Sequence, residues 1–570
     1  MKHTLSFLLC LLLLTPVCMW SQNRYDIIIS ELMADPTPAV GLPPNEWIEI
    51  KNNSAAPVNL QSWRIADASG QSGPLPAVTL PPDSLLIICG TTALTAMSSF
   101  GNAVAVTSFP SLDNDGEWIA VKAPDGRIIH AVQYSSDWYG NPLKQEGGWS
   151  LEMTDTQNPC SGNTNWKASV HPAGGTPGRP NSTAAVNADN LPPQLLRSYM
   201  TDSVTIRLVL DEPLDSAAVS LAGLYTCTAG INIIQAKAIA PLFQEVQLTL
   251  SVPMQYNTVY TIKAGNLPDC KGNRLSTAEV PAGRPGDPST GAIIINEILF
   301  NPKPNGEDYV EIINNSKGVA DLSKLFIANR NSNGSISSVK PISTEPVYLF
   351  PGDYVAITET PDRLPLYYMV RYPERILGIT SPPSFPDDEG WVLLLNAQGT
   401  VIDEVHYRDD WHFKLISNAE GVALERLNPD GPSNDADNWH SAASTAGYGT
   451  PGYKNSQQVK ADTFSGEIKG SPAIFSPDND GRDDFFLIQY RMETSGYVAN
   501  IVIFDASGRP VRRLVRNALL GQSGSWTWDG LDDTGRSLPL GHYILMAEWF
   551  NLQGKKEQSK QVIVLARKLN

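Results

Sequence analysis

The sequence predicts an all-β chain of several sandwich domains in series, and three observations carry that prediction. Its 570 residues exceed what one hydrophobic core organises. Short apolar runs alternate at period two between turn residues, and 44 Gly and 44 Pro supply the turns. The third observation is an internal repeat. Ile27-Ile28-Ile29-Ser30-Glu31-Leu32 and Glu46-Trp47-Ile48-Glu49-Ile50-Lys51-Asn52-Asn53-Ser54 return as Ile293-Ile294-Ile295-Asn296-Glu297-Ile298 and Asp308-Tyr309-Val310-Glu311-Ile312-Ile313-Asn314-Asn315-Ser316. Ile293 follows Ile27 by 266 residues and Trp391 follows Trp118 by 273, so one domain is used twice and a short-period solenoid is excluded.

The echo continues through the rest of each copy. Tyr134 and Trp138 answer Tyr407 and Trp411, Leu151-Glu152 answers Leu424-Glu425, and Asn165-Trp166 answers Asn438-Trp439. Both copies close alike, on Thr176-Pro177-Gly178 and Thr450-Pro451-Gly452. The unit resembles the lamin tail domain in its opening strand with Glu31 or Glu297, its Glu-Trp-Ile-Glu strand before an Asn-rich turn, and its closing Trp…Thr-Pro-Gly. That resemblance implies immunoglobulin-like β-sandwiches in tandem, over residues 25–182 and 290–456, the first with a Pro-rich insertion from Asp35 to Asn45.

At the start, Lys2 and His3 precede the apolar run Leu5 to Leu14, and Ser21 and Gln22 follow. This is the pattern of a secretory signal peptide over residues 1–21, too short in its apolar part to span a bilayer. The expected location is secreted or at the outer cell surface. Four cysteines lie beyond the leader, Cys89 and Cys160 in the first repeat and Cys227 and Cys270 in the next segment. In an oxidising compartment two intradomain disulfides are expected, Cys227 with Cys270 and Cys89 with Cys160, although spacing alone leaves three connectivities open.

Between the repeats, residues 191–286 carry period-two strands such as Val204 to Leu210 and Val246 to Leu250. With Asp211-Glu212-Pro213 and the turn Asp269-Cys270-Lys271-Gly272-Asn273, the segment resembles bacterial immunoglobulin-like modules related to those of surface-layer proteins, which implies a spacer. A polar linker over 457–470 precedes a last domain, 471–568, that opens on Ser476-Pro477-Asp478-Asn479-Asp480-Gly481-Arg482-Asp483-Asp484. It resembles the flagellar-hook-capping type of immunoglobulin-like domain and the C-termini of Bacteroidota surface and gliding-associated proteins. An attachment or export role follows from that resemblance, with outer-membrane export machinery as a partner.

The net charge of −17 and a pI near 4.9 repel phosphate backbones, so no nucleic acid is expected as a partner. Glu31 with Glu49, and Glu297 with Glu311, have the residue types of an acid and base pair, which must stand about 5 to 9.5 Å apart across a cleft. Strands of a sandwich offer no such cleft, and hydrogen bonding to neighbouring loops is the better reading. Gly447-Tyr448-Gly449-Thr450-Pro451-Gly452 satisfies G-x-G-x-x-G, yet it follows Ser441-Ala442-Ala443-Ser444 and contains a proline, so it reads as a turn and not as a dinucleotide fingerprint. The seven histidines form no metal spacing and no G-x-S-x-G elbow occurs, so no catalytic residue is assigned.

Asp478, Asn479, Asp480, Asp483 and Asp484 crowd oxygen side chains around a glycine, as calcium requires, and the same run also makes turns. Trp118, Trp138, Trp166 and their partners are expected in the cores. These features point to a non-enzymatic exported scaffold or adhesion protein whose partner is a cell-surface protein or a glycan. The alternative is a carbohydrate-binding or enzyme-associated accessory protein, which an exposed row of Trp or Tyr on a sheet face would favour.

Overall fold

The computed structural model describes residues 22–414, 416, 418–458, 466–492, 497–520, 523–551 and 554–567, and the expected leader lies outside them. The fold is all-β, a series of immunoglobulin-like sandwiches, and the chain forms two compact units, Met1–Val252 with Thr261–Val280 and Pro253–Tyr260 with Pro281–Asn570.

In the first unit a six-stranded sheet runs in the order Trp166–Ala168, Leu151–Met153, Ile27–Met33, Trp47–Asn52, Leu85–Gly90, Ala103–Val106. A second sheet, Arg64–Ala66, Trp118–Lys122 and Ile128–Gln133, completes the sandwich. The main core holds Ile27, Ile29, Leu32, Ile48, Trp63 and Trp166. All seven residues of the opening strand are buried, as a near-continuous apolar run demands of a strand covered on both faces.

Strict alternation would put Ile27, Ile29 and Glu31 on one face. A β-bulge between Ile29 and Glu31 changes the parity. Leu32 thereby rejoins Ile29 in the main core, and Glu31 falls with Met33 on the other face, where Trp47, Ile87 and Cys89 build a smaller apolar layer. The second copy repeats the device with a bulge between Ile295 and Glu297. There Ile295 and Ile298 enter the main core while Leu299, Tyr309 and Ala356 form the second layer. The N–H beside each bulge finds a partner in the facing sheet: Ile29 N–H donates to His130 Nδ1 (3.0 Å) and Ile295 N–H to Asp403 Oδ2 (2.7 Å).

The middle module has a four-stranded sheet, Leu195–Asp202, Thr205–Leu210, Glu245–Leu250, Ile233–Ile239, and a three-stranded one, Tyr225–Cys227, Tyr260–Pro268, Arg274–Ala282. In its Asp269 turn, Asp269 Oδ1 accepts the N–H groups of Lys271, Gly272 and Asn273 at 2.6 to 2.9 Å. The turn presents Cys270 to the first repeat, and the disulfide pairing differs from the expected one. Cys160 is bonded to Cys270, with Cα atoms 6.3 Å apart, while Cys89 and Cys227 are free thiols. Cys89 cannot meet Cys160 because its side chain belongs to the apolar layer under Trp47, whereas Cys160 lies in the loop beyond Leu151–Met153. Cys227 stands on a strand beside Ile262, one strand away from the turn that carries Cys270.

In the second unit the repeat has the sheet order Ile376–Gly378, Tyr354–Thr358, Tyr309–Asn314, Ile293–Leu299, Leu424–Arg426, Trp439–Ser441. It faces Ile336–Pro341, Leu325–Arg330, Glu389–Asn396 and Val401–Arg408. The last domain packs a three-stranded and a five-stranded sheet around Phe475, Phe486, Trp528 and Tyr543. Its strand Glu467–Ser471 starts inside the linker expected over 457–470, so the connection is shorter and the acidic loop follows two strands instead of opening the domain.

Among the described residues every tryptophan is buried or half-buried, with Trp138 against Trp166 and Trp411 against Trp439 at 6.2 and 6.3 Å. No exposed tryptophan row covers a sheet face among them. Mapping of non-reduced peptides is expected to find Cys160 linked to Cys270, with half-buried Cys227 alkylated in the folded protein and buried Cys89 only after denaturation. Replacing Cys160 by Ser should cost roughly 2 to 5 kcal/mol, because the bridge closes a long loop; peptides linking Cys227 to Cys270 would contradict the pairing.

Candidate functional site

Three glutamates meet in each repeat. Glu31 stands directly across from Glu49 on one side and Glu152 on the other, and Glu297 stands likewise between Glu311 and Glu425. Directly opposed residues have Cβ atoms about 4.5 to 5.5 Å apart, so each trio is one cluster of carboxyl groups. All six side chains are completely buried.

The closing Thr-Pro-Gly segment covers them. In the first copy Thr176 N–H donates to Glu31 Oε1 (2.7 Å), and its hydroxyl bridges Glu31 Oε2 (3.1 Å) and Glu152 Oε1 (3.0 Å). Gly178 N–H donates to Glu49 Oε2 (2.6 Å), and Thr183 N–H to Glu152 Oε2 (2.8 Å). The second copy reproduces this. Thr450 N–H donates to Glu297 Oε1 (2.9 Å), its hydroxyl bridges Glu297 Oε2 (2.9 Å) and Glu425 Oε1 (2.8 Å), and Gly452 N–H donates to Glu311 Oε2 (2.6 Å). Gln457 N–H completes the set on Glu425 Oε2 (2.8 Å). The glycine-rich run that mimics a dinucleotide motif is therefore the lid of this cluster, and its amides serve glutamates.

Burial pushes the Glu31 carboxyl up to about 8 and that of Glu49 up to about 7, and neighbouring carboxyls add to it. Glu297, Glu311 and Glu425 are raised for the same first reason. Among the described residues no Lys or Arg forms an ion pair with any of the six. Glu31 and Glu297, both raised to about 8, are thereby held mainly protonated at neutral pH, as hydrogen-bond donors as well as acceptors. The carboxyl oxygens face the chain's own amides and hydroxyls, and all six side chains are buried. Sequence reasoning named Glu31, Glu49, Glu297 and Glu311 and missed Glu152 and Glu425 as members. The available signal was that each copy carries an acidic residue at the matching place in all three strands.

The acidic loop of the last domain is a hydrogen-bonded junction to the second repeat. Asp484, buried, accepts Asp480 N–H (2.9 Å) and Gly481 N–H (2.7 Å), and Gln457 Nε2 donates to its Oδ2 (2.8 Å). Asn479, also buried, donates through Nδ2 to Ala442 O (3.0 Å), and its carbonyl accepts Ser444 N–H (2.8 Å). Asp478, Asp480 and Asp484 have oxygens within 4.8 Å of one another. Asn479 turns away toward the repeat and Asp483 is exposed, its backbone carbonyl accepting Ser476 N–H. Calcium here would compete with three N–H donors for Asp484. Asp189, Glu212 and Asp269 form a second acidic group, in which burial and the other carboxylates push Glu212 up to about 8.

The family model described as Lamin Tail Domain matches residues 21–136 and 287–409. Those spans hold Glu31, Glu49, Glu297 and Glu311, and stop short of Glu152, Glu425 and both lids. No curated protein matches the sequence. Among solved structures, the N-terminal part of the bacterial S-layer protein SbsC is similar at 16% identity and a TM-score of 0.16, over 29% of this chain and 40% of that one. A DUF4876 family protein from Bacteroides thetaiotaomicron is similar at 11% identity and 0.17, over 33% and 78%. An adhesin of an Antarctic bacterium, whose description calls it Ca2+-stabilized and ice-binding, is similar at 8% identity and 0.12, over 95% and 99%. Likenesses of this size leave the function to be argued from the residues.

Thr450→Val should destabilise the second repeat by about 1 to 3 kcal/mol, because two buried carboxyl oxygens lose a donor, and Thr450→Ser should restore most of it. Urea unfolding reads both. Stability should also fall as pH rises from about 4.5 to about 8. A carboxyl whose folded pKa is raised stabilises fully below its ordinary value and loses that contribution as pH climbs through about 7 to 8. Buried His130 and His412, pushed down to about 4, act oppositely but only below about pH 6.5, where the unfolded imidazole gains its proton. Glu31→Gln should flatten the slope between about pH 6.5 and 8, above the range in which the histidines contribute. Asp484→Ala should loosen the junction by about 1 to 3 kcal/mol through three stranded donors, and calcium should leave the melting temperature of the wild type unchanged.

Proposed function

We propose that the chain is a non-enzymatic, exported scaffold or adhesion protein of a bacterial cell surface. The observation that carries this reading is the fate of the six glutamates. They are the residues best suited to chemistry, and the fold spends them on sealing its own sandwiches. What remains is a series of β domains made to hold together: a disulfide between the first repeat and the middle module, and a buried polar junction between the second repeat and the last domain. The leader-like start and a disulfide kept by an oxidising compartment support export. The last domain is read as the attachment or export element, working with outer-membrane export machinery, and the partner as a cell-surface protein or glycan.

A carbohydrate-binding role draws its support from one cavity of the second repeat lined by arginine and tyrosine, since no tryptophan row is exposed among the described residues. Fractionating cells into medium, outer membrane and periplasm tests the main reading. The protein should appear in the medium or, sensitive to added protease, on the outer membrane, and removal of residues 471–568 should abolish display. Accumulation in the periplasm alone, or turnover of a polysaccharide, peptide or phosphodiester that Glu297→Gln abolishes, would overturn it.

A further inference from the structure

The lid of the second repeat does more than seal. Directly after Gly452, whose N–H is fixed by Glu311, come Tyr453 and Lys454. They line a shallow cavity of about 430 Å³ together with Tyr354, Arg371, Tyr372 and Arg375. Pockets of this size take small ligands. The Arg371 guanidinium lies over the Tyr453 ring at 4.4 Å, and that of Arg375 over the Tyr372 ring at 4.7 Å. Arg375 also pairs with Asp353 at 3.1 Å. Two guanidiniums and an ammonium thus line this cavity, one of them paired with Asp353, in a chain whose net charge is −17.

A second, independent observation points to a ligand. Tyr453 is only 7% exposed, yet its hydroxyl is buried without a hydrogen-bond partner among the described residues. Buried phenols normally find one, and a hydroxyl left alone beside a cavity is a donor waiting for an occupant. Tyr372, by contrast, is 43% exposed and offers an aromatic surface at the rim. In the first copy the matching positions after Thr176-Pro177-Gly178 are Arg179 and Pro180, so neither the phenol nor the ammonium is duplicated.

We infer that this cavity binds an acidic glycan through the carboxylate of a uronic-acid or sialic-acid residue. The planar fork of a guanidinium matches a carboxylate with two parallel hydrogen bonds. The buried phenol supplies a hydrogen bond to a ring hydroxyl, and the exposed Tyr372 ring packs on the apolar face of the sugar. A peptide carboxylate would meet the same cations but would not use the phenol beside an aromatic plate in this way. The inference deepens the adhesion reading and rests on it, by naming the class of surface the protein grips.

Calorimetric titration of the full mature chain tests it, with oligogalacturonate and sialyllactose as separate probes, methyl-esterified oligogalacturonate as the uncharged analogue, and dextran sulfate as a generic polyanion. Saturable binding is expected to one of the two acidic sugars, and which one binds identifies the source. Esterification or Arg371→Ala should weaken it at least about tenfold, as loss of a charged hydrogen bond does. Tyr453→Phe, which removes only the hydroxyl, should weaken binding several-fold while leaving the melting temperature at or above that of the wild type. No saturable binding to either acidic sugar, equal binding of the ester, binding of dextran sulfate as tight as that of the sugar, or tight binding of an acidic peptide in place of both sugars would overturn the inference. Surface display is scored separately on the same Arg371→Ala strain. Display without sugar binding in the wild type sinks only the glycan site, and sugar binding without display sinks only the surface role.

Discussion

Each repeat depends on three carboxyl groups buried side by side, with no Lys or Arg paired to them among the described residues. Such groups are tolerated in an interior only when protonation and hydrogen bonds replace the water they lost. The Thr-Pro-Gly lid provides both kinds of partner at once, because its two amides donate and its threonine hydroxyl bridges two glutamates. The dependence is mutual. Without the glutamates the lid's amides would be buried and unpaired, and without the lid the carboxyls would face solvent or one another. A chain segment well over a hundred residues from the opening strand is thereby made part of the core, which fixes the end of the domain as firmly as its beginning.

The same economy extends outward from the lid in the second unit. Glu425 holds Ser456 and Gln457, Gln457 reaches Asp484, and Asp484 shapes the acidic loop that also grips Ala442 and Ser444. The repeat and the last domain thus share one polar network. In the first unit the corresponding join is covalent, through Cys160 and Cys270. Two different chemistries serve one end, which is to keep consecutive sandwiches from swinging independently. The bulge shows a similar divergence: the Ile29 N–H is met by neutral His130, the Ile295 N–H by Asp403, and the charged solution needs buried Arg426 as well.

Much of this was legible in the sequence. Comparing the copies exposed the opening strand, the paired glutamates, the matched tryptophans and the closing motif, while period-two runs pointed to the middle sandwich and a family resemblance to the last one. What could not be read was which of these features touch. Glu31 meets Thr176 across 145 residues of chain, and no local pattern reports a contact of that range. Period two also misplaces Glu31, since the bulge at Ser30 is invisible in a run of apolar residues. Two cysteines in each of two segments suggested bridges within domains, whereas the bond crosses from one domain to the next because a tight Asp269 turn brings Cys270 outward. In the acidic loop, the sequence could not show that Gln457 and the loop's own amides hydrogen-bond Asp484.

The central claim is that the lids are core and not surface loop, and native-state amide hydrogen exchange tests it most directly. The amides of Thr176, Gly178, Thr450 and Gly452 should exchange only as slowly as the central strands Ile27–Met33 and Ile293–Leu299, since all open in the same unfolding event. Exchange of these four amides at the rate of exposed turns, with the strands still protected, would show that the glutamates do not hold the lids and would contradict the account.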